Sequence, residues 1–133
     1  MTTVRGLSFS PNGKLLASGT SDSIIKLWRW DTGELVRSLG AHSAAVSKLA
    51  FSPDNKWLAT GSEDGSIKLW NPNTGEFIGA LEGHASGIIG LAYSHDGKRI
   101  VVRTLNAFQI APIKQKSWLT TYVPILGSPV SIQ

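Results

Sequence analysis

His42, Thr60 and Asp64 combine a histidine, a hydroxyl and a carboxylate within one short stretch of the chain. In hydrolases such a carboxylate orients the histidine, and the histidine takes the proton of a nucleophilic hydroxyl. That hydroxyl must be exposed and must lie beside donors that stabilise an oxyanion. Here a hydroxyl and a carboxylate recur 42 residues earlier as Ser18 and Asp22. The hydroxyl is expected on a short strand that faces a tryptophan, so the pattern favours structural bracing over catalysis.

The histidines and the glycine-rich turn of the chain do not form a recognisable metal or phosphate site. His42, His84 and His95 lie 42 and 11 residues apart, without cysteine or paired carboxylates at the spacing of metal ligands. Residues 61–65 are rich in glycine, but they lack the GxxxxGK[ST] pattern that cradles phosphate and they carry an acidic pair. We therefore expect no metal, no cofactor and no enzymatic activity.

The composition indicates a small protein with one domain at most. The chain has 133 residues, no cysteine and no stretch of roughly 18 apolar residues that could cross a bilayer. Its N-terminus lacks the apolar run of a signal peptide, and the missing cysteine fits a reducing compartment. We expect a soluble, intracellular and cytoplasmic protein without membrane contact.

The basic charge is confined to the end of the chain. Residues 1–97 carry 8 Lys and Arg against 9 Asp and Glu, whereas residues 98–133 carry 5 basic residues and no acidic ones. The basic residues are Lys98, Arg99, Arg103, Lys114 and Lys116. They do not alternate with aromatic residues in a repeating pattern, so a solvated tail is favoured over a nucleic-acid interface.

An internal repeat of 42 residues organises most of the chain. Residues 4–45 and 46–87 align without a gap and are identical at 19 of 42 positions, including Trp28 with Trp70. Within each unit, four short runs alternate apolar and polar residues with the period of two that half-buried strands show. In the second unit we predict strands over residues 46–51, 56–61, 66–70 and 76–81, with a tight turn at Asp64-Gly65.

Four-stranded units at this spacing, with Gly-His before the first strand and Trp closing the third, resemble WD repeats. The resemblance covers residues 4 to about 98, and Lys-Leu-Trp stands in place of the Trp-Asp end that names the family. It implies an all-β fold: an open, partial β-propeller with about three four-stranded antiparallel blades. Because closed propellers usually have 4 to 8 blades, the open edges are expected to promote self-association.

The resemblance also assigns roles to the marked residues. In the family, a hydrogen-bonded tetrad of His, Ser or Thr, Asp and Trp braces each blade. In this chain the tetrad positions are His42, Thr60, Asp64 and Trp70 in the second unit, Ser18, Asp22 and Trp28 in the first, and His84 before the third. The first unit has no His before Val4, so its network is expected to be incomplete.

Members of the family commonly bind partners on the loops that enter the first strand and on the turn before the third strand. We call this loop edge the rim. By position it comprises Thr3, Arg5, Ser21, Ala45, Ser47, Glu63, Gly87 and Ile89. The set is mixed and has no strong charge, so we expect any partner to be a protein or peptide; a solvated surface without a binding role is an equal alternative. Trp30 and Trp57 lie outside the tetrad; packing between blades is favoured over an exposed anchor for a partner.

The repeat ends within the third unit. Residues 88–98 match the second unit at 5 of 11 positions, but from 99 to 129 only Ser128 coincides. We therefore divide the chain into repeat units over 1–98, the third beginning at residue 88, and a segment over 99–133. That segment is a diverged third blade, a strand pair that caps the edge, or a basic tail of unrelated sequence.

The sequence thus favours a non-catalytic scaffold for protein–protein interaction. Two alternatives remain open from the residues: a regulatory or docking part of a larger enzyme, and a degenerate remnant of a propeller.

Overall fold

The computed structural model describes residues 2–40, 42–81, 87–105, 107–114, 117–118 and 123–127. Within these ranges all regular structure is β-strand, and the strands form three antiparallel sheets in chain order. No helix in the described part of the chain is long and apolar enough to span a membrane. The prediction of an open all-β fold is confirmed.

The first sheet is a meander in which each strand pairs with the next along the chain. Its strands are β1 (Val4–Phe9), β2 (Leu15–Thr20), β3 (Ile24–Arg29) and β4 (Leu35–Gly40). In β3 the alternate residues Ile25 and Leu27 are buried, whereas Ile24, Lys26 and Trp28 on the other face are partly exposed. This alternation is the one that a half-buried strand requires.

The middle sheet repeats this arrangement with the same order of strands. It contains β5 (Val46–Phe51), β6 (Leu58–Ser62), β7 (Ile67–Trp70) and β8 (Phe77–Leu81). Gly65, in the turn between β6 and β7, has φ of 86°, in the left-handed region that glycine adopts without strain. All five residues of β6 are buried, because this sheet is covered on both faces.

The third sheet extends the fold beyond residue 98. It contains β9 (Gly90–Tyr93), β10 (Arg99–Arg103) and β11 (Ala107–Lys114), and β11 also pairs with β12 (Ser117–Trp118) and β13 (Val123–Gly127). The residues after 98 therefore continue the sheet that β9 begins. The division of the chain at residue 98 stays a prediction.

Two apolar cores hold the three sheets together. The first core joins Ala17, Ile25 and Leu27 of the first sheet to Val46, Leu49, Phe51, Leu58 and Trp70 of the middle sheet. The second core joins Ala59, Ile67 and Leu69 of the middle sheet to Ile88, Ile100 and Val102 of the third unit. Consecutive residues of β6, such as Leu58 and Ala59, point to opposite faces of the sheet and pack into different cores. Trp28 and Trp70 lie in separate, adjacent sheets, each on the third strand.

Candidate functional site

The middle sheet contains a chain of polar side chains that begins at its tryptophan. Trp70 Nε1 donates a hydrogen bond of 3.0 Å to Thr60 Oγ1, and His42 Nε2 lies 2.9 Å from the same oxygen. Strands β6 and β7 position Thr60 and Trp70, whose side chains share the face toward the first sheet. His42 lies in the segment that enters β5, and its side chain is fully buried.

Ser66 connects the histidine to the carboxylate. Its Oγ lies 2.9 Å from His42 Nδ1 and donates to Asp64 Oδ1 at 2.5 Å. The nearest direct approach of the histidine to Asp64, from Nδ1 to Oδ2, is 3.8 Å. The network therefore includes a residue outside the predicted tetrad, because Ser66 bridges His42 and Asp64.

Asp64 also fixes the neighbouring backbone. Its Oδ1 accepts a hydrogen bond of 2.8 Å from Ser66 N, and its Oδ2 accepts bonds of 3.0 and 2.9 Å from Ser43 N and Ser43 Oγ. Burial raises the pKa of Asp64, but the hydrogen bonds from Ser66 and Ser43 outweigh burial and hold this pKa well below its ordinary value. The carboxylate is thus ionised and ties the turn before β7 to the segment before β5.

One proton arrangement satisfies every member of the network. Burial lowers the pKa of His42 to about 4, against the opposing effect of Asp64, so the ring is neutral at pH 7. With the proton on Nδ1, His42 donates to Ser66, which donates to Asp64. Its Nε2 then accepts from Thr60, while Thr60 accepts from Trp70. Thr60 is fully buried, so its hydroxyl has no access to a substrate.

The first sheet keeps only part of this network. Trp28 Nε1 donates to Ser18 Oγ at 3.1 Å, as Trp70 does to Thr60. Asp22 instead accepts from the hydroxyls of Thr20 and Thr2, and these bonds lower its pKa. In the third unit, His84 lies outside the described residues, and the buried side chain at the Thr60 position is Val102.

The structure places the rim residues along one edge of the three sheets. Arg5 Nη1 and Glu63 Oε2 form an ion pair of 2.6 Å between the first and middle sheets, and both side chains are about half exposed. Ser47 Oγ donates to Ile88 O at 2.8 Å, which joins the middle sheet to the third. The rim is therefore held across sheet boundaries.

The remaining rim residues pack locally. Ser21 N donates to Thr3 O, and Thr3 N donates to Ser21 Oγ. Ala45 is buried, and its carbonyl accepts from Glu63 N. The other two rim residues are Gly87, which lies against the Glu63 backbone, and Ile89, which is exposed. Thr3, Arg5, Glu63 and Ile89 are thus the exposed residues of the rim.

The two tryptophans outside the network lie in different surroundings. Trp57 is partly buried and packs against the core between the middle and third sheets. Trp30 is exposed, and its ring meets Phe9 edge to face with 4.9 Å between the centroids. Among the described residues, no three His, Asp or Glu side chains converge in a way that could hold a metal ion.

Two family models match the sequence. The model of the WD40 family, described as WD domain, G-beta repeat, matches residues 33–71 and 75–102, together half of the chain. The model of the anaphase-promoting complex subunit 4 WD40 domain matches residues 1–51. The first match extends past residue 98 into β10.

Curated relatives match over a segment about as long as one repeat. Nuclear distribution protein PAC1 of Tuber melanosporum is 42% identical over 43 residues, which are 32% of this chain and 10% of the relative. Nuclear distribution protein nudF 1 of Talaromyces marneffei is 43% identical over 44 residues, or 33% of this chain and 10% of the relative. The matched segment thus spans about a tenth of these relatives.

Solved structures match over nearly the whole chain. The RRP9 WD40 repeats superpose with a TM-score of 0.84 at 19% identity, covering 92% of this chain and 39% of that one. The U3-55K structure superposes with a TM-score of 0.87 at 19% sequence identity, covering 98% of this chain and 41% of that one. A chain of the mitotic checkpoint complex superposes with a TM-score of 0.81 at 24% sequence identity, covering 96% of this chain and 37% of that one. At these identities the likeness concerns the fold. With a 42-residue repeat, consecutive four-stranded sheets and half of its length matched by the family model, the chain belongs to the WD40 repeat family.

Proposed function

We propose that this chain is a scaffold for protein–protein interaction without catalytic activity, and that the rim binds the partner. The observation that carries the proposal is the way the rim is held between sheets. The Arg5–Glu63 ion pair and the hydrogen bond from Ser47 to Ile88 O each cross a sheet boundary. A surface that is fixed before binding loses less conformational entropy when a partner docks.

The buried network supports the non-catalytic part of the proposal. Its histidine, hydroxyl and carboxylate are the residue types of a hydrolytic triad, but the hydroxyl of Thr60 is fully buried. Every polar atom of His42, Thr60 and Trp70 in this network has a partner inside the protein. The network therefore stabilises the sheet, as buried and satisfied polar groups do.

The distribution of charge supports a protein or peptide partner over nucleic acid. Lys98 and Arg99 lie where β10 begins, at the edge opposite the rim, whereas Arg103 lies where β10 ends. Four residues of extended strand separate these positions by about 13 Å. Nucleic-acid binding favours a continuous basic stripe, which these residues do not make. The relatives named nuclear distribution proteins support an intracellular role, and we place the chain in the cytoplasm.

The proposal is tested by reversing the charge at the rim. Partners captured from a cell extract by the wild-type protein are identified and produced in pure form. Their binding affinities for the wild type and for each variant are then measured by calorimetry. Glu63→Lys removes the ion pair with Arg5 and is expected to weaken binding at least tenfold. Glu34→Lys makes the same charge change in the loop between β3 and β4, at the opposite edge, and is expected to bind as wild type. Equal affinities for the two variants would contradict the proposal.

A further inference from the structure

A cleft lies between the first and middle sheets, at the edge of the sheets opposite the rim. Its volume is about 420 Å³, within the range of about 300–1,000 Å³ that is typical of ligand sites. Turns and strand ends of both sheets line it: residues 12–15, Arg29, Asp31 and Val36 of the first unit, and Pro72 and Asn73 of the second. Both walls of the cleft therefore belong to this chain.

Two hydrogen bonds between the sheets hold these walls in place. On the side of β1, Asn12 N donates to Asn55 Oδ1 at 2.9 Å, which joins the β1–β2 turn to the β5–β6 turn. On the side of β4, Arg37 Nη2 donates to Asn73 O at 2.8 Å. The cleft is thus formed before a ligand enters, and a preformed site loses less conformational entropy on binding.

The repeat shows why this space is open. Leu15 corresponds to Trp57 one unit later. Both side chains face the following sheet, because Leu15 packs against the first core and Trp57 packs against the second. An indole is much larger than the side chain of leucine, so Leu15 leaves open part of the space that Trp57 occupies at the next sheet boundary. The cleft therefore has room for an aromatic group.

Two cations and one carboxylate line the cleft. Arg29 Nε lies 4.0 Å from Asp31 Oδ1, and the two side chains are 57% and 76% exposed. An ion pair this long and this exposed contributes little to stability, so Arg29 is available to a carboxylate of a ligand. Lys14 is exposed and lines the same cleft. In the second unit Asn71 stands at the Arg29 position, so the paired cations belong to the first unit.

We propose that the cleft binds an extended segment of another protein in which an aromatic side chain is flanked by acidic residues. The aromatic ring packs against Leu15 and Val36, as Trp57 packs at the next boundary. The carboxylates pair with Lys14 and Arg29, and the guanidinium group presents two parallel donors to a carboxylate. Aromatic anchors commonly supply much of the affinity of such contacts. This second binding surface lies away from the rim and does not rest on the proposed function.

Fluorescence polarisation with the labelled peptide Gly-Ser-Glu-Trp-Glu-Ser-Gly tests the chemistry of the site. The 133-residue chain is expected to bind this peptide saturably at micromolar concentrations. Replacing both glutamates of the peptide with lysine, or its tryptophan with alanine, is expected to weaken binding at least about tenfold. Indole-3-acetate has an aromatic ring and one carboxylate but no peptide, and it is expected to compete at least about tenfold less well than the unlabelled peptide. No saturable binding, or equal affinity in any of these comparisons, would overturn the proposal.

Variants of the chain test the location of the site. Leu15→Trp installs the residue of the second unit in the cleft and is expected to weaken binding of the peptide at least about tenfold, with an unchanged circular dichroism spectrum. Lys14→Glu reverses an exposed charge outside the core and is expected to weaken binding to a similar extent. Lys98→Glu is the matched control, because Lys98 is exposed at the same turn position of the third unit, and it is expected to bind as wild type.

A folded Leu15→Trp variant that binds as wild type would overturn the location. If Leu15→Trp does not fold, the comparison of Lys14→Glu with Lys98→Glu decides alone, and equal affinities for these two variants would overturn the proposal. Glu63→Lys, which tests the rim, is expected to leave binding of the peptide unchanged. Loss of peptide binding in Glu63→Lys would place the peptide at the rim and contradict a separate site.

Discussion

His42 is neutral in the folded protein because burial lowers its pKa from the ordinary 6.5 to about 4, although Asp64 acts in the opposite direction. Between these two values the unfolded chain binds the proton more strongly than the folded chain does. The stability that depends on neutral His42 is therefore complete above about pH 6.5 and is lost as the pH falls toward 4. We expect the free energy of unfolding to decrease by about 2 kcal/mol over this range.

Urea denaturation followed by tryptophan fluorescence at pH 7, 5.5 and 4 measures this dependence. His42→Gln has no imidazole to titrate, so it is expected to lower stability at pH 7 and to flatten the profile between pH 6.5 and 4. His95→Gln, at an exposed histidine, is the matched control and is expected to keep the wild-type profile. A profile for His42→Gln as steep as that of the wild type would contradict the assignment.

Thr60 is the residue on which the network converges, since its hydroxyl is in contact with both His42 Nε2 and Trp70 Nε1. Thr60→Val keeps the shape of the side chain but leaves two buried nitrogen atoms without a partner. An unsatisfied buried polar group costs about 1–3 kcal/mol, so we expect Thr60→Val to destabilise the protein by about 3 kcal/mol. Thr60→Ser keeps the hydroxyl and is expected to cost less than half as much. Equal losses in urea denaturation would show that the hydroxyl does not matter.

At the scale of the strand, Gly61 sets how closely the middle sheet approaches the third. A Cβ at this position would lie 2.7 Å from Ile88 Cγ2, and Ile88 is buried. Gly61→Ala is therefore expected to destabilise the protein by about 1–3 kcal/mol through overpacking. Gly40→Ala, where a Cβ would meet no atom within 4 Å, is expected to be neutral. Thermal unfolding compares the stabilities of the two variants. A Gly61→Ala variant as stable as the wild type would contradict the close approach of the middle sheet to the third.

The elements of the first two units follow from the sequence because each strand is short, alternates in polarity and ends at a turn. The strand over residues 46–51 is predicted with the observed bounds, and the turn at Asp64-Gly65 has the expected left-handed glycine. Ser66 could not be found in the same way. The first unit has Ile24 at that position, so no repeated polar residue marks it, and its role depends on the distance between His42 and Asp64.

The third unit keeps the strand pairing of the second unit but differs from it in side chains from residue 99 onward and has a shorter hairpin. In the middle sheet Ala59 pairs with Leu69, whereas in the third sheet Val101 pairs with Ile110. Adding 42 to Leu69 gives position 111, so the turn between β10 and β11 is one residue shorter. Strand pairing is made by backbone groups, so the sheet continues although the side chains from residue 99 onward no longer repeat those of the second unit.

At the scale of the whole molecule, the three sheets form a linear array in which each sheet packs against its neighbours. The middle sheet contributes side chains to both apolar cores, whereas the first sheet contributes to one. In such arrays, stability depends on the interfaces between adjacent repeats as well as on each repeat. Two units with 19 identical residues are therefore expected to differ in stability because of their positions.

Hydrogen exchange measured by mass spectrometry tests this difference. In the 133-residue chain, peptides spanning β6 and β7 should exchange at least tenfold more slowly than peptides spanning β2 and β3. The reason is that amides of the middle sheet open only when contacts on both of its faces are lost, whereas those of the first sheet open after losing one face. The equivalent strand positions in the two units serve as matched controls for intrinsic exchange. Equal protection of the two sheets would mean that the array unfolds as a single unit and that position within it has no effect on stability.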